Sequence, residues 1–401
     1  MRTVLLFGAA VLLTCSAALA AAPPAALFPA MKDGKWGFID ATGRMVIPPK
    51  FGAVGNCVRN VFVTGLAPVK SGGRWVYIDR AGKPVVRIKA DEDVHFCGPF
   101  VAGLARVSVG RIRLGDIGRL TTGYIHQTGR FVIRPRFVAA RDFCEGFAAV
   151  RLERRWAYVD KKGTVLVKEL GYAYDFRGGR ALVRDDRAGR GRWGLIDKTG
   201  KMVVEFPAME RCRPLSEGLA AFVRAGKWGY VDAAGRVVVA PRFRLAEDFH
   251  DGVAAVWIPN PNPKRPRERG MLKCRFIDRR GRFITDTTFD SGYSFREGLA
   301  PVRLGDQYGY LDTQGELPIK PQYASAGPFS DGLAAVRKDG QFVYVDKTGR
   351  VAVVPKAEVT FGGPFTRGLA RVHLRGDRLG YVDRAGTVVY RWVKPPVVLV
   401  D

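Results

Sequence analysis

The chain has 401 residues, and an excess of lysine and arginine over acidic residues gives it a formal charge of +27. Beyond residue 20 no stretch approaches the ~20 apolar residues that a membrane-spanning helix needs, which argues against a helical membrane protein. No segment resembles a long disordered linker.

The first twenty residues resemble a secretory signal peptide. Arg2 supplies the positive charge, an apolar stretch runs from Val4 to Leu19, and Ala18-Leu19-Ala20 has the small-residue pattern of a cleavage site. We therefore expect residues 1–20 to be removed, with cleavage after Ala22 as the alternative.

This leader predicts an exported protein that is periplasmic or secreted. A lipoprotein anchored at Cys15 is the alternative, although Thr14 stands where a smaller residue is usual. Outside the cytoplasm, a strongly basic chain is suited to acidic proteins, anionic polysaccharides or lipid head groups, and we expect no nucleic acid partner. Alternatively, the basic residues only keep the protein soluble.

Residues 21–401 contain one structural unit copied in tandem. An aromatic-rich strand that ends in a turn and a glycine occurs ten times, first at Lys35–Asp40, and the spacing of 34 to 47 residues is typical of solenoids and propellers. The residue three before the glycine is Asp in nine units and His126 in the other. The recurring glycines are Gly43, Gly82, Gly129, Gly163, Gly200, Gly235, Gly281, Gly315, Gly349 and Gly386.

Each unit is predicted to contain three short strands. The first is a G-L-A-x-V segment such as Gly218-Leu219-Ala220, the second is the W-G-Y-I-D strand, and the third is an apolar segment such as Val132–Phe137. Such strands, bounded by Gly, Asp and Pro, indicate a β-meander. The Asp-x-x-Gly sequence fits a type I turn with a left-handed glycine, in which the Asp side chain accepts hydrogen bonds from turn amides.

The second strand is apolar on both faces. Two residues before the Asp, nine of ten units carry an aromatic residue and Leu195 is the exception; four residues before it, five units carry Trp. On the opposite face, the residue directly before the Asp is aliphatic in all ten units. Because a sheet with one wet face would alternate apolar and polar residues, we expect each sheet to lie between two neighbours. Full burial of the indole predicts that Trp228→Ala costs about 3–5 kcal/mol.

The sequence thus predicts an all-β fold, a tandem array of ten three-to-four-stranded antiparallel meander repeats. The array is either propeller-like or an open β-solenoid. Phe28 leads almost directly into the first hairpin, and Val397–Val400 forms an apolar strand without a hairpin of its own. Pairing of this strand with the first unit would close a ring, although propellers typically have four to eight blades.

These motifs resemble the WG-repeat family of bacterial proteins. The dipeptide occurs at Trp36-Gly37, Trp193-Gly194 and Trp228-Gly229, and the resemblance covers essentially all of residues 21–401. Several units depart from it, at Trp75-Val76, Trp156-Ala157, Cys274-Arg275 and Phe342-Val343. The resemblance implies an interaction repeat and transfers no catalytic motif.

No arrangement of residues indicates catalysis or metal binding. The recurrent Asp residues lack the EF-hand and calcium nonapeptide patterns, so turn capping explains them. The histidines fall in different units without metal-ligand spacing, and G-x-S-x-G, P-loop and H-E-x-x-H sequences are absent. We therefore predict no enzyme, no cofactor and no metal. The histidines are His95, His126, His250 and His373.

Five cysteines follow the leader: Cys57, Cys97, Cys144, Cys212 and Cys274. Disulfides are permitted in an exported protein, and a Cys97–Cys144 bridge is conceivable if neighbouring units bring the two residues together. Buried free thiols are the stronger expectation, because a small apolar Cys packs well.

Two basic insertions, at 108–122 and 259–270, break the regular spacing. Rigid arrays display binding residues on variable loops, so the insertions are the candidate partner contacts. The alternative is a solvated surface excursion. The candidate residues are Arg111, Arg113, Arg119, Lys264, Arg265, Arg267 and Arg269.

The sequence favours a non-enzymatic binding or scaffold protein of the cell envelope that presents a basic surface to an acidic protein. A binder of anionic glycan or lipopolysaccharide is the alternative. A hydrolase with a pocket at the ring centre is a third hypothesis, which would require a converging polar cluster.

Overall fold

The computed structural model describes residues 25–55, 62, 64–91, 93–110, 120–187, 189, 191–263 and 271–393. In these residues the regular structure is β-strand, arranged in nine antiparallel sheets. No helix of the described part is long and apolar enough to cross a membrane. The prediction of an all-β array of small antiparallel sheets is confirmed.

The strands follow one another in the sheets in chain order. The first three sheets are β1 (Phe28–Lys32), β2 (Lys35–Ile39) and β3 (Met45–Phe51); β4 (Ala53–Val54), β5 (Ala67–Ser71), β6 (Arg74–Ile78) and β7 (Pro84–Arg87); and β8 (Val94–Val101), β9 (Leu104–Val109), β10 (Thr121–His126) and β11 (Phe131–Phe137). A seven-stranded sheet follows with β12 (Ala139–Ala140), β13 (Phe147–Leu152), β14 (Arg155–Asp160), β15 (Val165–Ala173), β16 (Arg180–Asp185), β17 (Arg192–Asp197) and β18 (Met202–Glu205).

Five sheets complete the described chain. They are β19 (Arg211–Cys212), β20 (Leu219–Arg224), β21 (Lys227–Asp232) and β22 (Val237–Phe243); β23 (Leu245–Ala246), β24 (Val253–Pro259) and β25 (Leu272–Asp278); β26 (Ser291–Gly292), β27 (Leu299–Leu304), β28 (Gln307–Asp312) and β29 (Ile319–Tyr323); β30 (Ser325–Ala326), β31 (Ala334–Lys338), β32 (Gln341–Val345) and β33 (Val351–Val353); and β34 (Val359–Thr366), β35 (Leu369–Leu374), β36 (Arg378–Val382) and β37 (Val388–Val393).

The recurrent turn has the predicted geometry. At Asp232 the backbone N–H of Gly235 donates to the Asp232 carbonyl oxygen (3.0 Å), and Gly235 is left-handed with φ +84°. The Asp232 carboxylate accepts the backbone N–H groups of Ala234 and Arg236, each at 2.9 Å. At the exceptional His126, ring atom Nδ1 accepts the N–H of Thr128 (3.3 Å). Turn capping therefore accounts for this repeated position.

Both faces of the W-G strand are buried, as predicted. The aliphatic residue before the Asp is fully buried in all ten of these strands, from Ile39 to Val382. The aromatic residue two before the Asp is also inaccessible in nearly every sheet, and Tyr230 is 0% exposed. Each strand therefore contributes to two apolar clusters, one on each side of its sheet. Tyr230 and Val231, for example, belong to different clusters.

The tryptophans are less buried than the sequence predicted. Trp228 is half-buried, and the Arg213 guanidinium lies 4.9 Å from the centre of its ring. Trp36, Trp75 and Trp156 are also half-buried, whereas Trp193 is buried. Each of these half-buried tryptophans is the second residue of its strand, next to the exposed hairpin connection. The cost of 3–5 kcal/mol expected for Trp228→Ala is therefore too large, because less area leaves water.

The glycine of the W-G dipeptide has a steric role. A Cβ at Gly229 would lie 2.5 Å from the Val239 carbonyl oxygen and 2.8 Å from the Pro241 nitrogen. These atoms approach because β22 bulges, so that Trp228 pairs with Phe243 while Tyr230 pairs with Val239. The proline-containing third strand therefore requires glycine opposite the bulge.

The first and last sheets pack against each other. The Tyr381 hydroxyl donates to the Pro29 carbonyl oxygen (3.1 Å), and the rings of Phe28 and Tyr381 lie 5.5 Å apart. Ile39 and Trp392 belong to the same apolar cluster. The segment Val397–Val400, predicted to close the array, lies outside the described residues.

Candidate functional site

The seven predicted contact residues lie outside the part of the chain that the structure describes: Arg111, Arg113, Arg119, Lys264, Arg265, Arg267 and Arg269. The described flanks locate the two insertions in the fold. One connects β9 to β10, where Ser108 already pairs with Thr122, and the other connects β24, which ends at Pro259, to β25. Both insertions therefore replace the same hairpin connection, between the G-L-A strand and the W-G strand.

These hairpin connections share one edge of the array, which we call the hairpin edge. Within the seven-stranded sheet, an ion pair between Arg155 and Asp186 joins the β13–β14 connection of one meander to the β16–β17 connection of the next. Exposed basic residues line this edge and clearly outnumber its exposed carboxylates. They are Lys32, Lys35, Arg74, Arg154, Arg155, Arg184, Arg187, Arg192, Arg224, Lys227, Arg337, Lys338, Arg375 and Arg378.

Many of these cations have no acidic partner. Arg187, Arg192 and Arg375 pair with Asp185, Glu205 and Glu358 at 2.7, 2.9 and 3.1 Å. In contrast, nine others form no ion pair with any carboxylate of the described residues: Lys32, Lys35, Arg74, Arg154, Arg224, Lys227, Arg337, Lys338 and Arg378. The hairpin edge therefore presents uncompensated positive charge to solvent.

The opposite edge, which we call the turn edge, is different. It carries the Asp-x-x-Gly turns and the acidic residues that precede the G-L-A strands, so its cations lie among carboxylates and some of them are paired. Glu145 binds Lys198 at 3.1 Å and Glu297 binds Lys347 at 3.4 Å, each pair joining neighbouring meanders. Cations and carboxylates are about equally numerous there.

Acidic side chains of the turn edge also accept hydrogen bonds across sheet boundaries. The N–H of Gly252 donates to Glu217 Oε2 (2.9 Å), and the N–H of Gly298 donates to Asp251 Oδ2 (2.8 Å). These carboxylates are therefore used to align successive meanders, and they are less available to an external partner.

A cavity of about 690 Å³ opens between the meander that contains β17 and the sheet that contains β21. Leu182, Leu195 and Leu215 form its apolar wall, and Arg177 and Arg180 are exposed beside it. This volume lies within the range of small-molecule sites, roughly 300–1,000 Å³.

Several polar groups of this cavity lack hydrogen-bond partners. Arg141 Nε, Asp175 Oδ1 and Asp248 Oδ1 are inaccessible and unpartnered within the described residues. Loose ion pairs remain, with Arg141 4.0 Å from Asp175 and Arg213 3.6 Å from Asp248. Buried polar atoms without a hydrogen-bond partner are uncommon in native proteins, so these three atoms call for a specific explanation.

The cysteines are structural. Cys97, Cys144, Cys212 and Cys274 are free, so the conceivable Cys97–Cys144 bridge is not formed, and Cys57 lies outside the described residues. Burial raises the pKa of the Cys97, Cys212 and Cys274 thiols, which keeps them protonated and unreactive. Within the described ranges, no group of three or more His, Cys, Asp or Glu side chains is arranged to hold a metal ion.

Sequence reasoning missed the cavity, although it noted Leu195 as an exception. A second signal was present: the residue three before the glycine of G-L-A is Phe in most units and leucine at Leu215. Leu195 and Leu215 lie at the same contact between sheets. The sequence of a single unit does not show this, because the contact forms only when neighbouring sheets pack together.

Comparison with known proteins supports the architecture. A family model described as "WG containing repeat" matches residues 36–75, 123–156, 156–187, 193–228, 228–256, 275–308 and 308–342. No curated protein matches the sequence.

Solved structures resemble this chain at low identity. A eukaryotic initiation factor has a TM-score of 0.53 and 11% identity, over 92% of this chain and 96% of that chain. BamB from Moraxella catarrhalis has a TM-score of 0.34 and 13% identity, over 75% of this chain and 96% of that one.

Proposed function

Because the chain belongs to the family of proteins built from WG-containing repeats, we propose that it is a non-enzymatic binding protein of the cell envelope whose basic hairpin edge holds an acidic protein partner. The export part of this proposal rests on the leader-like residues 1–20. Repeat arrays commonly bind through an extended surface that successive units build together.

The absence of catalysis is inferred from the roles of the recurring residues. The repeated Asp caps a turn, the repeated Gly accommodates a bulge or a left-handed turn, and the repeated aromatic and aliphatic residues fill the space between sheets. Each of these positions has a structural use in every meander. The two insertions that break the regular spacing both fall in a hairpin connection, where a binding surface is expected.

The observation that carries the proposal is the difference in charge between the two edges. Exposed Lys227 and Arg74 have no acidic partner in the described residues, whereas Lys198 and Lys347 of the turn edge are paired. Cations of the turn edge that are unpaired within the described part of the chain, such as Lys161 and Arg350, lie beside the carboxylates of the Asp-x-x-Gly turns, so an acidic polypeptide would meet the larger excess of positive charge on the hairpin edge. Such complementarity accelerates association and selects the partner.

The test compares two triple variants with equal changes of charge. R74E/R224E/K227E alters the hairpin edge, and K161E/K162E/R350E alters exposed residues of the turn edge. Each reversal of an exposed charge contact is worth on the order of 0.5–1 kcal/mol. We therefore expect the hairpin variant to bind immobilised polyglutamate about tenfold or more weakly at low salt, and the turn variant to bind nearly as the wild type does.

Two results would contradict this proposal. Equal losses in both variants would mean that only net charge matters. Tighter binding to a sulfated polysaccharide or to lipopolysaccharide vesicles than to polyglutamate, with the same dependence on Arg74, would favour the anionic glycan alternative. In vivo crosslinking with mass spectrometry would then identify the natural partner.

We also propose that the array is a closed, propeller-like ring. The Tyr381 contact with Pro29 supports this arrangement, since other tyrosines at this position donate to a backbone carbonyl in the next sheet. The three-stranded first sheet would then accept the last sheet as an internal neighbour does.

A further inference from the structure

The contact between neighbouring sheets follows one pattern along the array. The aromatic residue of the W-G strand packs on a Phe that precedes the next G-L-A strand, with ring centres 4.7 Å apart for Tyr124 and Phe143 and 4.8 Å apart for Tyr310 and Phe329. Tyr230 and Phe249 pack in the same way, at 4.8 Å and 64°. We call this last contact the Tyr230 interface.

One contact departs from the pattern on both sides. Leu195 stands where the tyrosine would be, and Leu215 stands where the phenylalanine would be. Both leucines line the cavity of about 690 Å³, so two missing rings leave space at this contact, which we call the Leu195 interface. When both rings are absent, the space that they would fill stays open. If only one ring were absent, the other ring would still fill part of that space.

The gap is apolar inside and charged at its border. Leu182 and Leu195, which are nearly inaccessible, form the apolar wall together with half-buried Leu215. Arg177 and Arg180 form no ion pair with the described residues, which leaves two guanidinium groups for an anion. Asp175 and Asp248 line the same space with side chains about one-third exposed, and each is only loosely paired with an arginine, at 4.0 and 3.6 Å.

We propose that the Leu195 interface binds a small zwitterion with a cyclic apolar group, of which an aromatic amino acid is the simplest example. The ring occupies the space between Leu195 and Leu215, the carboxylate meets Arg177 and Arg180, and the ammonium group meets Asp175 and Asp248. The three chemical groups thus match three parts of the cavity. This site is independent of the hairpin edge.

Calorimetric titration of the purified full chain tests the proposal with three probes. L-Tyrosine carries all three groups, tyramine lacks the carboxylate, and 4-hydroxyphenylacetate lacks the ammonium group. We expect saturable binding of tyrosine and about tenfold weaker binding of each truncated probe, since each loses a charge-assisted contact.

Four variants test which side chains contact the ring, the carboxylate and the ammonium group of the ligand. Leu195→Tyr fills the gap and should abolish binding, while Tyr230→Phe, at the filled interface, should leave it unchanged. Arg177→Gln should weaken tyrosine about tenfold and leave tyramine unaffected, and Asp175→Asn should weaken tyrosine and leave 4-hydroxyphenylacetate unaffected. If Leu195→Tyr does not fold, Arg177→Gln and Asp175→Asn still test the proposal. The proposal is overturned if tyrosine gives no saturable heat, or if Arg177→Gln weakens all three probes equally.

Discussion

At the Tyr230 interface, two aromatic rings meet edge to face, and the Tyr230 hydroxyl donates to the Glu247 carbonyl oxygen at 2.7 Å. At the Leu195 interface the same two positions carry leucine, and a polar-lined cavity replaces the rings. The strands, the turns and the buried aliphatic residue Ile196 are retained there. A repeat array can therefore lose one core contact locally, because each sheet is still held by its other face.

The difference between the two interfaces shows that the aromatic pairs between sheets contribute to stability. An aromatic pair adds roughly 0.5–1.5 kcal/mol beyond its area burial. The Leu195 interface lacks this contribution. Such local departure from an otherwise consistent pattern is expected at functional sites.

The largest effect is expected when the filled interface is emptied. Tyr230→Ala removes a fully buried ring and its hydrogen bond, and should lower the free energy of unfolding by about 3–5 kcal/mol in denaturant titrations. Leu195→Ala, the matched change beside an existing cavity, should cost less, about 2–3 kcal/mol. Equal losses would show that the two interfaces do not differ in packing.

A similar but smaller effect tests the contact between the two ends of the array. Tyr381→Ala removes the ring that packs on Phe28 and donates to Pro29, and should cost about 2–4 kcal/mol. The terminal sheets should also gain faster amide exchange. A loss below about 0.5 kcal/mol, the level of ordinary surface changes, would mean that this contact does not close the array.

A single hydroxyl should have a measurable effect, and it should depend on pH. Tyr230→Phe keeps the ring and removes the hydrogen bond, so we expect a loss of about 1 kcal/mol at neutral pH. Burial raises the pKa of Tyr230 above the ordinary value of about 10. The neutral phenol therefore stabilises the fold fully below about pH 10, and this contribution is lost as the pH rises towards the folded-state pKa.

Alkaline titration monitored by tyrosinate absorbance and near-ultraviolet circular dichroism checks this sign. Stability should fall above pH 10, and Tyr230→Phe should make the fall shallower, because one titrating group is removed. An equally steep fall in the variant would show that Tyr230 does not titrate with unfolding.

The smallest expected effect is an increase in the free energy of unfolding. Leu195→Tyr restores one ring at the Leu195 interface and should raise the free energy of unfolding by about 0.5–1 kcal/mol, as cavity-filling changes commonly do. Thermal melts of this variant against Leu195→Met, which keeps the apolar volume nearly unchanged, separate filling by a ring from the mere replacement of the leucine. Destabilisation by the tyrosine would indicate that the cavity cannot accept a ring.

The sequence by itself determined the local structure: strand order, the Asp-capped turns, and the two apolar faces of the W-G strand. These follow from residue periodicity and turn chemistry, which act over a few neighbouring residues. Residues such as Asp232 and Gly235 have the same surroundings wherever the unit occurs.

Only the tertiary structure decided which deviations meet and which charges remain unpaired. Leu195 and Leu215 are separated in sequence and form one cavity because consecutive sheets stack face to face. The half-exposure of Trp228 and the pairing of Glu145 with Lys198 likewise depend on where a neighbouring sheet ends. Contacts between sheets join different units, so the pattern of a single unit does not contain them.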